Sequence, residues 1–164
     1  MDYEAFIEQK IDDNSCFQEI RTVPIRSAEV EIVLENLWLI GGKRGWYFAD
    51  SLWEIRGLID SLLGGEGMRK GRSPSLKKGD QLDFWKIEYA NKKERRLLLL
   101  AEMNLPGEAW LSFEIIDQPE LTYLKQTNIF RPKNNWGRVY WYISLPFHKI
   151  IFAGMTQGIV KYRQ

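Results

Sequence analysis

Residues 81–131 read QLDFWKIEYANKKERRLLLLAEMNLPGEAWLSFEIIDQPELTYLKQTNIFR. The apolar residues in this stretch recur with a period near two, which is the spacing of β-strands. The spacing predicts strands over Gln81–Tyr89, Arg95–Met103, Glu108–Ile116 and Leu121–Arg131, preceded by one over Met68–Arg72. The links between them are short and rich in turn formers: Ala90-Asn91-Lys92-Lys93, Leu105-Pro106-Gly107 and Asp117-Gln118-Pro119. Successive strands joined by such links pair antiparallel, because parallel neighbours need a long crossover. Arg96–Leu100 is apolar at both parities, so it is expected to be a central strand covered on both faces.

Upstream, Cys16–Ile25 reads as a first strand, with Pro24 confining it to a sheet edge. Ser27 is expected to cap a helix carrying Val30, Val33, Leu34 and Leu37, which Gly41-Gly42 stops. Lys43–Leu63 predicts a second helix, with Leu52, Ile55 and Ile59 on one stripe, Trp46, Ala49 and Trp53 on another, and Gly64-Gly65 at its end. Downstream, Asn134-Asn135-Trp136 caps a long helix running to about Tyr162. Pro146 is expected to kink it, and Gly154 and Gly158, one turn apart, permit close packing. Residues 1–15 form an N-terminal extension or linker, with Tyr3, Phe6, Ile7 and Ile11 on one helical face, and 16–164 form a single domain. The order is strand, two helices, five or six strands and one long helix. This is the α+β helix-grip architecture, a curved antiparallel sheet wrapped around a C-terminal helix, and the twist of such a sheet leaves a wedge of space beside the helix.

Composition narrows the function. The net charge of +1 at pH 7 argues against nucleic acid as the partner, since phosphate binding needs a clustered basic excess. Lys92, Lys93, Arg95 and Arg96 do cluster, but around a predicted turn that also holds Glu94, which reads as a solvated hairpin tip. The single cysteine, Cys16, excludes an internal disulfide and fits a reducing, cytoplasmic setting. One cysteine and one histidine, His148, are too few for a zinc centre, and neither a catalytic set nor a cofactor site stands out. The acidic N-terminus does not read as a signal peptide. Val139–Met155 is apolar apart from Ser144, His148 and Lys149, yet it is short for a membrane span and carries Lys149 in its middle. Peripheral membrane contact through Trp136, Tyr140 and Trp141 stays open. Seven Trp and seven Tyr imply either a large aromatic core or an aromatic-lined cavity.

Ordered motifs also carry a family resemblance. Gly41-Gly42-Lys43-Arg44-Gly45-Trp46-Tyr47-Phe48-Ala49-Asp50, with Trp53, Arg56-Gly57 and Asp60, resembles the signature of the DUF2867 family. So do Gly79-Asp80, Asp83-Phe84-Trp85, Ala101-Glu102-Met103, Leu105–Leu111, Gln126-Thr127, Gly137-Arg138, Tyr140-Trp141-Tyr142 and Leu145–His148, over residues 20–160. The resemblance implies a fold similar to the Bet v 1/START-like helix-grip superfamily and brings no assigned activity. It also implies association with an NAD(P)-binding Rossmann domain of the short-chain dehydrogenase (SDR) type. The chain itself carries no Gly-x-Gly-x-x-Gly between a strand and a helix.

The residues leave three functions open. The first is a module that binds a small hydrophobic or amphipathic molecule. Trp46, Tyr47, Trp53, Trp85, Trp110 and Tyr140 would form its walls, and Arg56, Glu102, Gln126 and His148 would set its polarity. Each has a plainer reading as core, ion pair or surface. The glycine run 41–45 reads as a turn in preference to an anion cradle. Asp83 and Glu102, carboxylates in apolar strands, must find partners if they point inward. The second function is an accessory or substrate-specificity domain of an SDR-type epimerase or oxidoreductase. The third is peripheral membrane attachment or protein interaction.

Overall fold

A computed structural model describes residues 2–48 and 71–163. Among them, six antiparallel strands form one sheet: β1 (Phe17–Ile25), β2 (Gln81–Leu82), β3 (Trp85–Asn91), β4 (Arg96–Ala101), β5 (Gly107–Asp117) and β6 (Thr122–Pro132). The sheet order is β1-β6-β5-β4-β3-β2. Pro24 thus lies on an edge strand, where its missing N–H costs no ladder bond. Among the described residues three α-helices accompany the sheet: α1 (Tyr3–Asp12), α2 (Val30–Trp38) and α3 (Asn135–Lys161).

The double-sided apolar pattern of β4 is used as expected. Leu97 and Leu99 are fully buried on the inner face, in the cluster that includes Met155 and Ile159 of α3. Leu98 is fully buried on the outer face, in a second cluster with Tyr3, Ile7, Trp110 and Ile129. The helix α1 covers this outer face. Asp2 caps it, Tyr3 and Ser112 hydroxyls meet at 2.5 Å, and Lys10 Nζ lies 4.4 Å from the Trp110 ring centre.

On the inner face, α3 runs through Pro146 as one helix, capped at its start by Asn134, whose side chain accepts from Gly137 N at 3.1 Å. Its other end is stitched to α2: Asn36 Nδ2 donates to Ile159 O at 2.9 Å and to Tyr162 O at 3.1 Å. The small residues of α3 serve as anticipated. A Cβ on Gly154 would fall 2.3 Å from the Phe48 ring, and one on Gly158 would fall 2.8 Å from the Tyr47 carbonyl oxygen.

Several boundaries differ from the sequence expectation. Ser27 does not cap an α-helix; it opens a 3-10 turn, Ser27–Glu29, and α2 begins after it. Gln81–Tyr89 is not one strand, because Asp83 adopts φ +55 and folds β2 back on β3. A short polar side chain tolerates that left-handed conformation better than most. The helix expected from Lys43 does not start there: Gly42–Arg44 is a 3-10 turn, and Tyr47 has φ 64. The rest of that helix, its Gly64-Gly65 stop, Trp53, Arg56 and most of the strand expected over Met68–Arg72 lie outside the described residues.

Candidate functional site

The glycine motif and the Asp83 motif meet as a structural clasp. Asp83 is 4 % exposed, and its Oδ2 accepts from Gly42 N and from Trp46 Nε1, both at 3.0 Å. Its Oδ1 accepts from Gly71 N at 3.3 Å. Gly41 N closes the loop on Gly45 O at 2.8 Å, and a Cβ on Gly41 would strike Leu82 at 2.7 Å and Asp83 Oδ2 at 3.0 Å. Arg72 seals the other side, donating to Trp38 O at 2.7 Å and Ile40 O at 3.2 Å. Of the loop glycines, Gly42 thus spends its N–H on a carboxylate of the same chain, and Gly41 and Gly45 spend theirs on carbonyls within the loop.

This clasp corrects the expected aromatic walls. Trp46 and Trp85 are buried beside Phe84, with ring centres 5.5–6.1 Å apart, and they fill that end of the wedge as core. Tyr47 donates to Asn36 O at 2.7 Å and packs edge-on against Tyr162. Its desolvation by burial pushes the phenol up to about 12. Trp110 lies on the other face of the sheet, under α1, because its parity on β5 is opposite to that of Leu111. Glu102 is exposed and accepts from Gln81 Nε2 at 2.9 Å. Tyr140 packs on Phe130 with ring centres 5.7 Å apart.

At the opposite side of the inner face the sheet turns polar. In register, Glu19 sits across from Asn128 and Arg21 across from Gln126. Side chains two residues apart share a face, so these four point toward α3 together. Arg21 Nη2 donates to Glu19 Oε1 at 2.5 Å. Gln126 is fully buried; its Nε2 donates to Asn128 Oδ1 at 3.0 Å, and its Oε1 accepts from Thr156 of α3. His148 lies two turns before Thr156 on α3, between Trp141 and Phe152. Three atoms of this group, Glu19 Oε2, Arg21 Nε and Asn128 Nδ2, are buried with hydrogen-bonding capacity unused.

Beside this cluster a cleft of about 240 Å³ runs between the β1 edge and α3, lined by Ile20, Arg21, Thr22, Val23, Ala153, Thr156 and Gln157. Of the residues singled out from sequence, Gln126 and His148 belong to the polar inner side. Glu19, Arg21, Asn128 and Thr156 were not anticipated. A signal for two of them exists in β1, where Glu19 and Arg21 interrupt an otherwise apolar parity of Phe17, Val23 and Ile25. Among the described residues, no group of three or more His, Cys, Asp and Glu side chains is arranged to hold a metal ion. None of the described helices is long and apolar enough to cross a membrane.

Comparison with solved structures places the fold. A protein from Nitrosospira multiformis superposes with a TM-score of 0.50 at 9% identity, over 88% of this chain and 94% of that one. The major latex-like protein 151 of Panax ginseng gives 0.49 at 11% identity, over 89% and 96% of the two chains. Ara h 8.0201 gives 0.44 at 10% identity, over 90% and 98%. At such identities the likeness concerns the fold alone; the antiparallel sheet laid against the long C-terminal helix is itself the α+β helix-grip arrangement. No curated protein matches the chain in sequence. The family model described as "Protein of unknown function (DUF2867)" matches residues 12–155, and the chain is a member of that family.

Proposed function

We propose that the domain binds a small amphipathic molecule in the cleft between β1 and α3. The observation that carries this reading is the cleft beside a polar cluster with unused hydrogen-bonding atoms. Native interiors satisfy nearly all buried polar atoms, so a concentration of unspent donors and acceptors at one place marks where a further partner adds bonds. Val23 and Ala153 offer an apolar wall, while Arg21, Thr156 and Gln157 offer the polar one.

The volume limits the ligand. At about 30 Å³ per water-sized portion, the cleft takes roughly eight such portions. That is a molecule of about ten non-hydrogen atoms, smaller than a drug-sized ligand. Arg21, already neutralising Glu19, favours a hydrogen-bond acceptor on the ligand, and Glu19 disfavours a second full negative charge close by.

A thermal-shift screen of small hydroxy acids, amides and phenols tests the reading. A binder at a hundred times its Kd raises stability by about 2.7 kcal/mol. The shift disappears in Ala153→Trp, which occupies the cleft, and falls in Arg21→Ala. A stabilising compound whose effect survives both substitutions binds elsewhere and ends the proposal.

A further inference from the structure

The outward face of α3 is apolar and bare. Trp136, Tyr142, Ile143, Phe147 and Ile150 are each 61–65 % exposed, and Val139 is 44 % exposed. At about 100° per residue these six fall within an arc of roughly 140° on the side opposite the sheet. Over the stretch from Trp136 to Ile150 no charged residue lies inside the arc. Arg138 and Lys149 flank it on one side and are exposed. An ordinary surface helix buries its apolar stripe and shows water its polar face. This helix is apolar on both, and an exposed patch of this kind marks an interaction surface.

Charge selects the partner. From residue 121 to residue 164 the chain has Lys and Arg but no Asp or Glu. With a chain-wide net charge of +1, the acids that balance this segment all precede it. Within that segment Lys125, Arg131 and Arg163 are paired with acids of other elements (Glu114, Asp13 and Glu108, and Glu29), whereas Arg138 and Lys149, beside the apolar arc, have no acid partner among the described residues. A second copy docking through the same face would bring Arg138 and Lys149 of both helices together with no acid on either helix to pair them. An anionic lipid surface meets both requirements, since it takes apolar and aromatic side chains at the acyl boundary and attracts flanking Lys and Arg.

We infer that α3 is an interfacial helix and that the domain docks on anionic bilayers through Trp136, Ile143, Phe147 and Ile150, with Arg138 and Lys149 at the headgroups. Depth is limited to the interface, because the opposite face of the helix grips the sheet. The surface adjoins the ligand cleft along α3 but shares no named residue with it, so substitutions in one leave the residues of the other in place.

Sedimentation with vesicles of phosphatidylcholine alone, or with a third phosphatidylglycerol, tests the inference at low and high salt. The expected result is binding to the anionic vesicles that weakens at high salt. Phe147→Ser with Ile150→Ser is expected to lower the partition coefficient by at least about tenfold. Arg138→Glu with Lys149→Glu is expected to abolish the preference for anionic lipid. These positions are exposed, and circular dichroism checks that the variants keep their helix. Wild-type protein that stays in the supernatant with both vesicle types overturns the inference. Binding that the apolar double variant leaves unchanged also overturns it, as does a wild-type dimer in analytical ultracentrifugation that the same variant makes monomeric.

Discussion

Asp83 Oδ2 stands 3.0 Å from Trp46 Nε1 and joins the glycine loop to the β2–β3 turn across 37 residues of sequence. The carboxylate is buried and holds three N–H groups. Removing it leaves those donors without a partner, at about 1–3 kcal/mol each. Asp83→Ala is therefore expected to destabilise the domain by about 4 kcal/mol in urea unfolding. Asp83→Asn keeps one acceptor oxygen and tolerates φ +55, so it is expected to cost about half as much. A loss below about 1 kcal/mol for Asp83→Ala would show that the clasp is not structural.

Gly154 and Gly158 separate two kinds of close contact. The atom in the way at Gly154 belongs to a Phe48 side chain that is 38 % exposed and can swing aside. At Gly158 the obstacles are Tyr47 Cβ at 2.7 Å and its carbonyl oxygen at 2.8 Å, which move only with the chain. Alanine gains about 1 kcal/mol of helix propensity at either site. Gly154→Ala is expected to be near neutral, and Gly158→Ala to lower stability by about 2 kcal/mol, measured by chemical denaturation.

Alkaline pH is expected to unfold the protein early. Tyr47, desolvated by burial, is pushed from 10.0 up to about 12, and Tyr3, buried beside Glu114, is raised further. Both folded-state values lie above the unfolded value, so this contribution is complete below pH 10 and is lost as pH rises through 12. Unfolding midpoints measured from pH 8 to 12 are expected to fall above pH 10. Tyr47→Phe, which removes one ionising group and its bond to Asn36 O, is expected to lower stability by about 1 kcal/mol at pH 8 and to flatten the alkaline decline.

The Glu19–Arg21 pair makes a further prediction. The side chain of Glu19 is 11% exposed, so a partner lost there leaves a poorly solvated charge. Arg21→Leu is expected to cost about 2 kcal/mol, and Glu19→Leu with Arg21→Leu less than that, because the double change removes both charges. Additive losses in a thermal denaturation cycle would mean that the two residues act independently.

How far the sequence could be read follows from whether a signal was local. The double parity of Leu97–Leu100 is local and specified a strand covered on both faces. Pro24 was local and specified an edge. The fold-back at Asp83 left only a faint trace, the switch of apolar parity between Phe84 and Trp85, and the left-handed turn itself depends on contacts with Gly42, Trp46 and Gly71 that lie far away in sequence. Trp110 was assigned to the wrong face for a similar reason: nothing near it says that α1 covers the outer side. The polar cluster required knowing that β1 pairs with β6. Only that register sets Glu19 opposite Asn128 and Arg21 opposite Gln126.

Native mass spectrometry of protein freshly purified from its own cells is the most direct test of the cleft. Wild-type protein is expected to carry a bound mass of about 100–200 Da, matching a cleft of roughly eight water volumes. Ala153→Trp, folded by circular dichroism, is expected to appear bare. An adduct of that size retained by Ala153→Trp, or wild-type protein that is bare and takes up no compound from the small-molecule screen, would contradict the account.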